Sequence, residues 1–205
     1  MATINGHEYV DLGLPSGTLW ATCNVGANTP EGYGDYFAWG EIDSKTTYNW
    51  RIYKYCKGRL DKMTRYCSDP DYGNNGFTDK LIILHSADDP ATVNWGSGWR
   101  TSTLEEWEEL LNNTSNEWTI QNGVKGRLFV SKKNGQTIFL PAAGLRVDLE
   151  LGDVGLRGGF WSSLLNIYHP YDAWYFYFGS DECGMGDLPR DAGRSVRAVH
   201  SSCQN

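Results

Sequence analysis

The chain has 205 residues, 40% hydrophobic and 21% charged, with a formal net charge of -7 and a pI near 5.0. That length suits one domain, 1–205, with a core of its own. The acidic balance excludes the basic face that a nucleic-acid binder needs, and no apolar run approaches a membrane span, so neither nucleic acid nor membrane insertion is expected.

Glycine is abundant at 24 residues, as are Trp at 9, Tyr at 12 and Phe at 7, a composition that favours turns, short strands and adaptable contact surface over helices. No cationic start followed by an apolar stretch appears, so no signal peptide is expected within this sequence. Residues 9–20 read as strand, turn, strand, with Pro15 and Gly17 placed where a turn wants one fixed and one permissive φ. The run from Gly26 to Gly34 is loop, and 36–41 is a short aromatic strand or its edge. From Asp43 to Pro90 the chain is polar, Tyr-rich and irregular, which in a compact domain is uncommon unless the segment is functional or tied down. The one clear helix covers 103–112. Thr103 and Glu106 make a capping box, Leu104, Trp107 and Leu111 share a face that Leu110 widens, and the glutamates read as a solvated side. A hairpin follows, with 127–131 and 137–140 flanking Asn134-Gly135, a type I′ signal. After the Gly-rich connection 148–159, short strands are expected near Phe160-Trp161, over 173–178 and over 195–200. The fold class is therefore α+β, with mostly short antiparallel strands and few helices.

Motifs of chemistry are scarce. Five cysteines (Cys23, Cys56, Cys67, Cys183, Cys203) form no C-x-x-C pair, and although Cys56 and Cys67 could close a short loop, free thiols are the favoured state. The four histidines, His7, His85, His169 and His200, lack metal-ligand spacing, so no metal and no cofactor is expected. Nucleotide-loop, nucleophile-elbow and zinc-protease motifs are absent. Asp181, Glu182 and Asp187 have nothing in sequence to split their pKa values into an acid and a base. The oxygen-rich Asp69, Asp71, Asn74 and Asn75 lack the EF-hand pattern and read as turn chemistry. These absences tilt the expectation from enzyme to binding module.

The residues then carry a family likeness. The runs Tyr9-Val10-Asp11-Leu12-Gly13-Leu14-Pro15-Ser16-Gly17-Thr18-Leu19-Trp20-Ala21, Tyr33-Gly34-Asp35-Tyr36-Phe37-Ala38-Trp39-Gly40-Glu41, Val93-Asn94-Trp95-Gly96, Trp99-Arg100, Ile138-Phe139-Leu140-Pro141-Ala142-Ala143-Gly144, Trp161-Ser162-Ser163 and Ser195-Val196-Arg197-Ala198-Val199 resemble the Fibrobacter succinogenes major paralogous domain group. Thr101-Ser102 departs from it, where Met-Pro would be expected. The resemblance spans nearly the whole chain and implies a C-type lectin-like fold of the formylglycine-generating-enzyme type. The ending resembles the variable proteins of diversity-generating retroelements of gut Bacteroidetes and their phages. Such systems randomise adenines, and an AAC or AAT codon so altered cannot yield Trp, Met, Glu, Gln or Lys. Within 160–199, Trp161, Trp174, Glu182 and Met185 are thereby excluded as products, and most of the rest fits the permitted set.

The resemblance implies a variable ligand-binding surface made of Leu164, Leu165, Ile167, Tyr168, His169, Tyr171 and Asp172 from one loop. The odd-numbered face of a strand adds Tyr175, Tyr177, Gly179, Asp181 and Cys183, and a second loop adds Gly186, Asp187, Leu188, Pro189, Asp191 and Ala192. Trp174, Phe176 and Phe178 alternate with that face and suit a core, and Trp161, Trp174 and Arg197 are expected as scaffold. The two loops and the strand face are expected to form one contiguous patch. Tyrosines there would give contact area at low entropic cost, as in antibody paratopes, to a variable protein or glycan partner on a cell surface. A fixed-specificity, calcium-independent lectin-like module is the alternative, since Glu-Pro-Asn and Gln-Pro-Asp are absent. An enzyme of the formylglycine-generating class would have only Cys183 and Cys203 as its C-terminal cysteine pair, and no catalytic residue is expected.

Overall fold

The computed structural model of the chain describes residues 2–201. Cys203 lies outside them. The elements run β1 (Thr3–Ile4), β2 (His7–Asp11), β3 (Thr18–Ala21), α1 (Pro90–Trp95), β4 (Trp99–Thr101), α2 (Leu104–Asn113), β5 (Thr114–Gln121), β6 (Val124–Ser131), β7 (Thr137–Pro141), β8 (Leu145–Val147), β9 (Glu150–Gly152), β10 (Gly158–Leu165), β11 (Asp172–Phe178), β12 (Cys183–Pro189) and β13 (Ala198–Ser201). One sheet has the order β1-β2-β3-β13-β4. The others are β5-β6-β7, β10-β11-β12 and the pair β8-β9. Every pairing of these strands is antiparallel, so the chain is α+β with few helices. None of the described helices is long and apolar enough to cross a membrane.

The opening strand-turn-strand forms as β2 and β3, closed by the Gly17 amide on the Leu14 carbonyl at 2.9 Å with Gly17 at φ 73°. The capping box on α2 is present in both directions: Thr103 Oγ1 accepts from the Glu106 amide, and Glu106 accepts from the Thr103 amide. The glutamate side of α2 is less solvated than its sequence suggests. Glu106 is buried and ion-paired with Arg100 at 2.6 Å, and Glu109 accepts from the Ser16 amide and hydroxyl. The expectation of a single helix misses α1, which Asp89 caps through the Ala91 and Thr92 amides, with Pro90 opening its first turn.

The hairpin signal at Asn134-Gly135 overstates the turn. Only Gly135 has positive φ, and a five-residue loop, 132–136, joins the strands. The two-residue primed turn lies instead at Asn122-Gly123, with φ 48° and 84°, between Gln121 and Val124 of an unpredicted β5-β6 hairpin. Residues 36–41 form one bridge, Phe37 to Arg194, rather than a strand.

Two aromatic cores meet around β10 and β11. Trp20, Trp107, Leu110, Phe129, Phe160, Phe176 and Phe178 fill one, in which the rings of Trp107 and Phe176 stack 4.6 Å apart. The other draws heavily on the irregular segment 43–90, which supplies Tyr48, Tyr53, Tyr55, Met63, Tyr66 and Cys67, all buried. Asp88 ties that segment together, accepting from the Tyr55 and Tyr66 hydroxyls and from Arg65 Nε. Four cysteines, Cys23, Cys56, Cys67 and Cys183, are free.

Candidate functional site

The expected variable region maps onto the β10-β11-β12 sheet and its loops. Two buried arginines brace its surroundings, and of these Arg190 bonds the region's own backbone, at the Pro170 carbonyl. Arg190 donates from Nη1 to the carbonyls of Tyr66 and Pro170, both at 2.7 Å, and from Nε to Tyr53 Oη. Arg197 donates to Asn24 Oδ1 and to the Ala21, Thr22 and Phe139 carbonyls. Trp161 is equally locked, its Nε1 on the Phe37 carbonyl at 2.7 Å. Trp174 differs: it lies on the face of Phe176 and Phe178, yet it is only half-buried and joins neither core.

Register decides which side chains share a face. Tyr175 pairs with Trp161 and Gly186, and Tyr177 with Gly159 and Gly184. The tyrosine rings therefore lie over a column of glycines. A Cβ at Gly186 would stand 3.2 Å from Tyr175 Cε1, and one at Gly184 would stand 3.4 Å from Tyr177 Oη. The Arg194 side chain packs against Gly159 with its guanidinium 4.2 Å from the Tyr175 ring centre. It makes no ion pair or side-chain hydrogen bond among the described residues, and burial lowers its pKa to about 10.

Three sequence expectations are corrected here. First, β11 ends at Phe178, so Gly179 and Asp181 lie in the turn 179–182, held by Arg127 on the Glu182 carbonyl at 2.7 Å. Cys183 faces Phe178 across the hairpin, on the side opposite Tyr175 and Tyr177. Second, Gly186, Asp187, Leu188 and Pro189 are not loop but the strand β12, unseen in the sequence because glycines interrupt its alternation. Third, Leu164 and Leu165 end β10 and Asp172 opens β11 rather than lying in a loop; Leu165, Asp172 and Ala192 are buried, whereas Leu164 is half-buried. The expected single patch is thus divided. Tyr175, Tyr177 and Leu188 face one way, and Asp172, Asp187 and Pro189 face the other.

Beside Leu188, at the end of β12 where Pro189, Asp191 and Ala192 follow, Tyr48, Trp50, Leu145 and Val147 complete a mostly apolar recess of about 230 Å³. Burial pushes the Asp191 carboxyl up to about 6, with Asp148 adding to the shift and Lys45 opposing it. On the second side the loop 166–171 turns tightly around buried Asn166, whose Oδ1 accepts from the amides of Tyr168 and His169. That leaves Ile167 45% and Tyr168 79% exposed, the latter the most prominent side chain of the loop. Tyr171 is half-buried between the rings of His169 and Tyr72. Burial, and then the neighbouring Asp187 carboxylate, raise the Asp172 carboxyl to about 6.

Sequence reasoning missed the partners that arrive from far along the chain, namely Trp50, Tyr48, Leu145, Arg194 and the grouping of His169 with Asp172 and Asp187. Only the spacing of Gly184 and Gly186 opposite Tyr177 and Tyr175 left a local trace. No family model, curated protein or solved structure matches the chain.

Proposed function

We propose that the protein is a non-enzymatic display module with a C-type lectin-like fold, whose C-terminal hairpin and preceding loop form a diversified ligand-binding surface. The observation that carries this reading is the two-sided construction of β11. Phe176 and Phe178 are buried among Trp107, Phe129 and Phe160, while Tyr175 and Tyr177 lie on the opposite face over glycines. A face of that kind tolerates exchange of its side chains where they reach solvent, because the backbone beneath is held by the core behind it and, at the Pro170 carbonyl, by Arg190. The codon rule implied by the resemblance fits at Trp161, which altered AAC or AAT codons cannot produce and which is buried, and at Tyr168, which they can and which is 79% exposed. It does not follow the two faces elsewhere, since Glu182 is excluded yet exposed and Phe176 and Phe178 are permitted yet buried.

Large tyrosines over a rigid sheet and an exposed loop suit a protein or glycan on a cell surface. Sequencing the 3′ end of the gene and its flanks across the source population tests the reading. Variation should concentrate at Ile167, Tyr168, His169, Tyr175, Tyr177, Asp187 and Leu188, with Trp161, Phe176, Arg190 and Arg197 constant. Invariance at Tyr168 and Tyr177, with no template repeat nearby, would refute it and favour a module of fixed specificity, to be sought on a glycan array.

A further inference from the structure

His169, Asp172 and Asp187 each bring one potential ligand atom to a common point, all within 4.8 Å of one another. The grouping is a product of topology. Asp172 opens β11, and Asp187 lies diagonally across from it on the same face of β12, because Trp174 pairs with Asp187 and Asp172 with Pro189. His169 is carried back by the turn in which its carbonyl accepts from the Asp172 amide at 2.8 Å.

A second observation separates this group from an ordinary acidic cluster. Asp172 is 8% exposed, and its Oδ1 is fully buried without a hydrogen-bond partner. A buried carboxylate oxygen with no donor is costly, and a second carboxylate nearby adds to that cost rather than relieving it. A cation reverses both effects. We propose that His169, Asp172 and Asp187 form a three-ligand site for a divalent transition-metal ion, with a coordination position left open.

Ligand chemistry selects the ion. One imidazole and two carboxylates suit zinc and its first-row neighbours, whereas calcium prefers six or more oxygens. Donors about 2.1 Å from a tetrahedral ion stand about 3.4 Å apart, so at most roughly 1.5 Å of closure is needed. His169 and Asp187 are exposed and can supply it, while buried Asp172 stays as the fixed ligand. The surroundings already orient the exposed pair. Asn166 Nδ2 donates to Asp187 Oδ2 at 3.3 Å, Asn166 Oδ1 holds the His169 amide, and the Tyr171 ring stacks on the imidazole with centroids 5.6 Å apart. With three protein ligands, the fourth position is free for water or for an oxygen of a bound partner.

The proposal needs only these side chains and does not depend on the display reading, which the gene sequences test separately. The experiment is calorimetric titration of the full-length protein with zinc chloride, repeated on His169→Ala, Asp187→Asn and Asp172→Asn, with Asp43→Asn, an exposed carboxylate outside the hairpin and its loop, as control. One equivalent of zinc should bind to the parent and the control. Each of the three substitutions should weaken binding by about tenfold or more. Cobalt should report the same site by visible absorption that His169→Ala abolishes. Should Asp172→Asn fail to fold, His169→Ala and Asp187→Asn decide, since both residues are exposed. Absence of zinc binding to the parent, or binding that survives both exposed-residue substitutions, overturns the site.

Discussion

The two faces of the β10-β11-β12 sheet share one backbone yet differ in what they require of the side chains. Behind it, Phe160, Phe176 and Phe178 interlock with Trp107 and Phe129, and a Cβ on Gly158 would run into the Phe178 ring. In front, Tyr175 packs on buried Trp161 at the margin of the other core and under the Arg194 guanidinium, whereas Tyr177 meets glycines and solvent. Where side chains interdigitate, composition is constrained by volume. Where they lie over glycine, it is constrained mainly by the backbone underneath. A sheet can leave side chains of one face loosely determined only where the other face is closely packed.

The sharpest break of that comparison is a matched pair of truncations. Phe176→Ala removes a fully buried ring and should cost about 4 kcal/mol in urea unfolding, whereas Tyr177→Ala should cost less than about 1 kcal/mol. Comparable losses for the two would show that the front face is also structural. The arginines give a second pair. Arg197→Met strands the Ala21, Thr22 and Phe139 carbonyls and should cost about 3 kcal/mol. Arg194→Met gives up only a stacking contact on Tyr175 and relieves an unpartnered buried charge, so its stability should stay within about 1 kcal/mol of the parent.

The same contrast explains what the sequence could disclose. Alternation along 174–178 was enough to assign Phe176 and Phe178 to a core, and Thr103 with Glu106 located α2, because those signals are local. Trp174 obeyed the alternation but sits where Asp172 and Asp187 share its face, beyond the aromatic packing. The strand β12 was invisible because Gly184 and Gly186 carry no side chain to alternate. The segment 43–90 had no period, although Tyr48, Tyr53 and Tyr66 are among its most buried residues. Their hydroxyls bond carbonyls and a carboxylate far along the chain, which no local pattern encodes. The meeting of His169 with Asp187 is of the same kind: eighteen positions apart, joined only by the hairpin.

Smaller effects probe the front face itself. Asp191 has a raised carboxyl pKa in the folded state, about 6, because its recess is partly dry and Asp148 lies near, with Lys45 opposing. The folded state therefore binds the proton more tightly than the unfolded chain. Stability from this group is present below the ordinary carboxylate range and is lost as pH rises through about 6. After allowance for partial exposure, the loss should be up to about 2 kcal/mol. In Asp191→Asn the difference in unfolding free energy between the two ends of that window should shrink by that amount. An unchanged profile would mean that the recess is as wet as the open surface.

The glycines opposite the tyrosines should give the smallest changes, Gly186→Ala the larger of the two. Its Cβ would stand 3.2 Å from Tyr175 Cε1 and 3.5 Å from Tyr177 Cδ1, tighter than ordinary contact for the first ring. The ring that must give way is Tyr175, which Arg194 and Trp161 hold in place. The cost should be about 0.5–1 kcal/mol, with the ring resonances of both tyrosines shifted and those of Phe176 and Phe178 unmoved. Gly184→Ala, whose Cβ meets Tyr177 Oη at 3.4 Å, should be nearly silent. If the phenylalanine resonances moved as well, the two faces would be coupled through the β11 backbone. Exchanging side chains in front would then disturb the core behind, and a freely variable surface could not be built on this sheet.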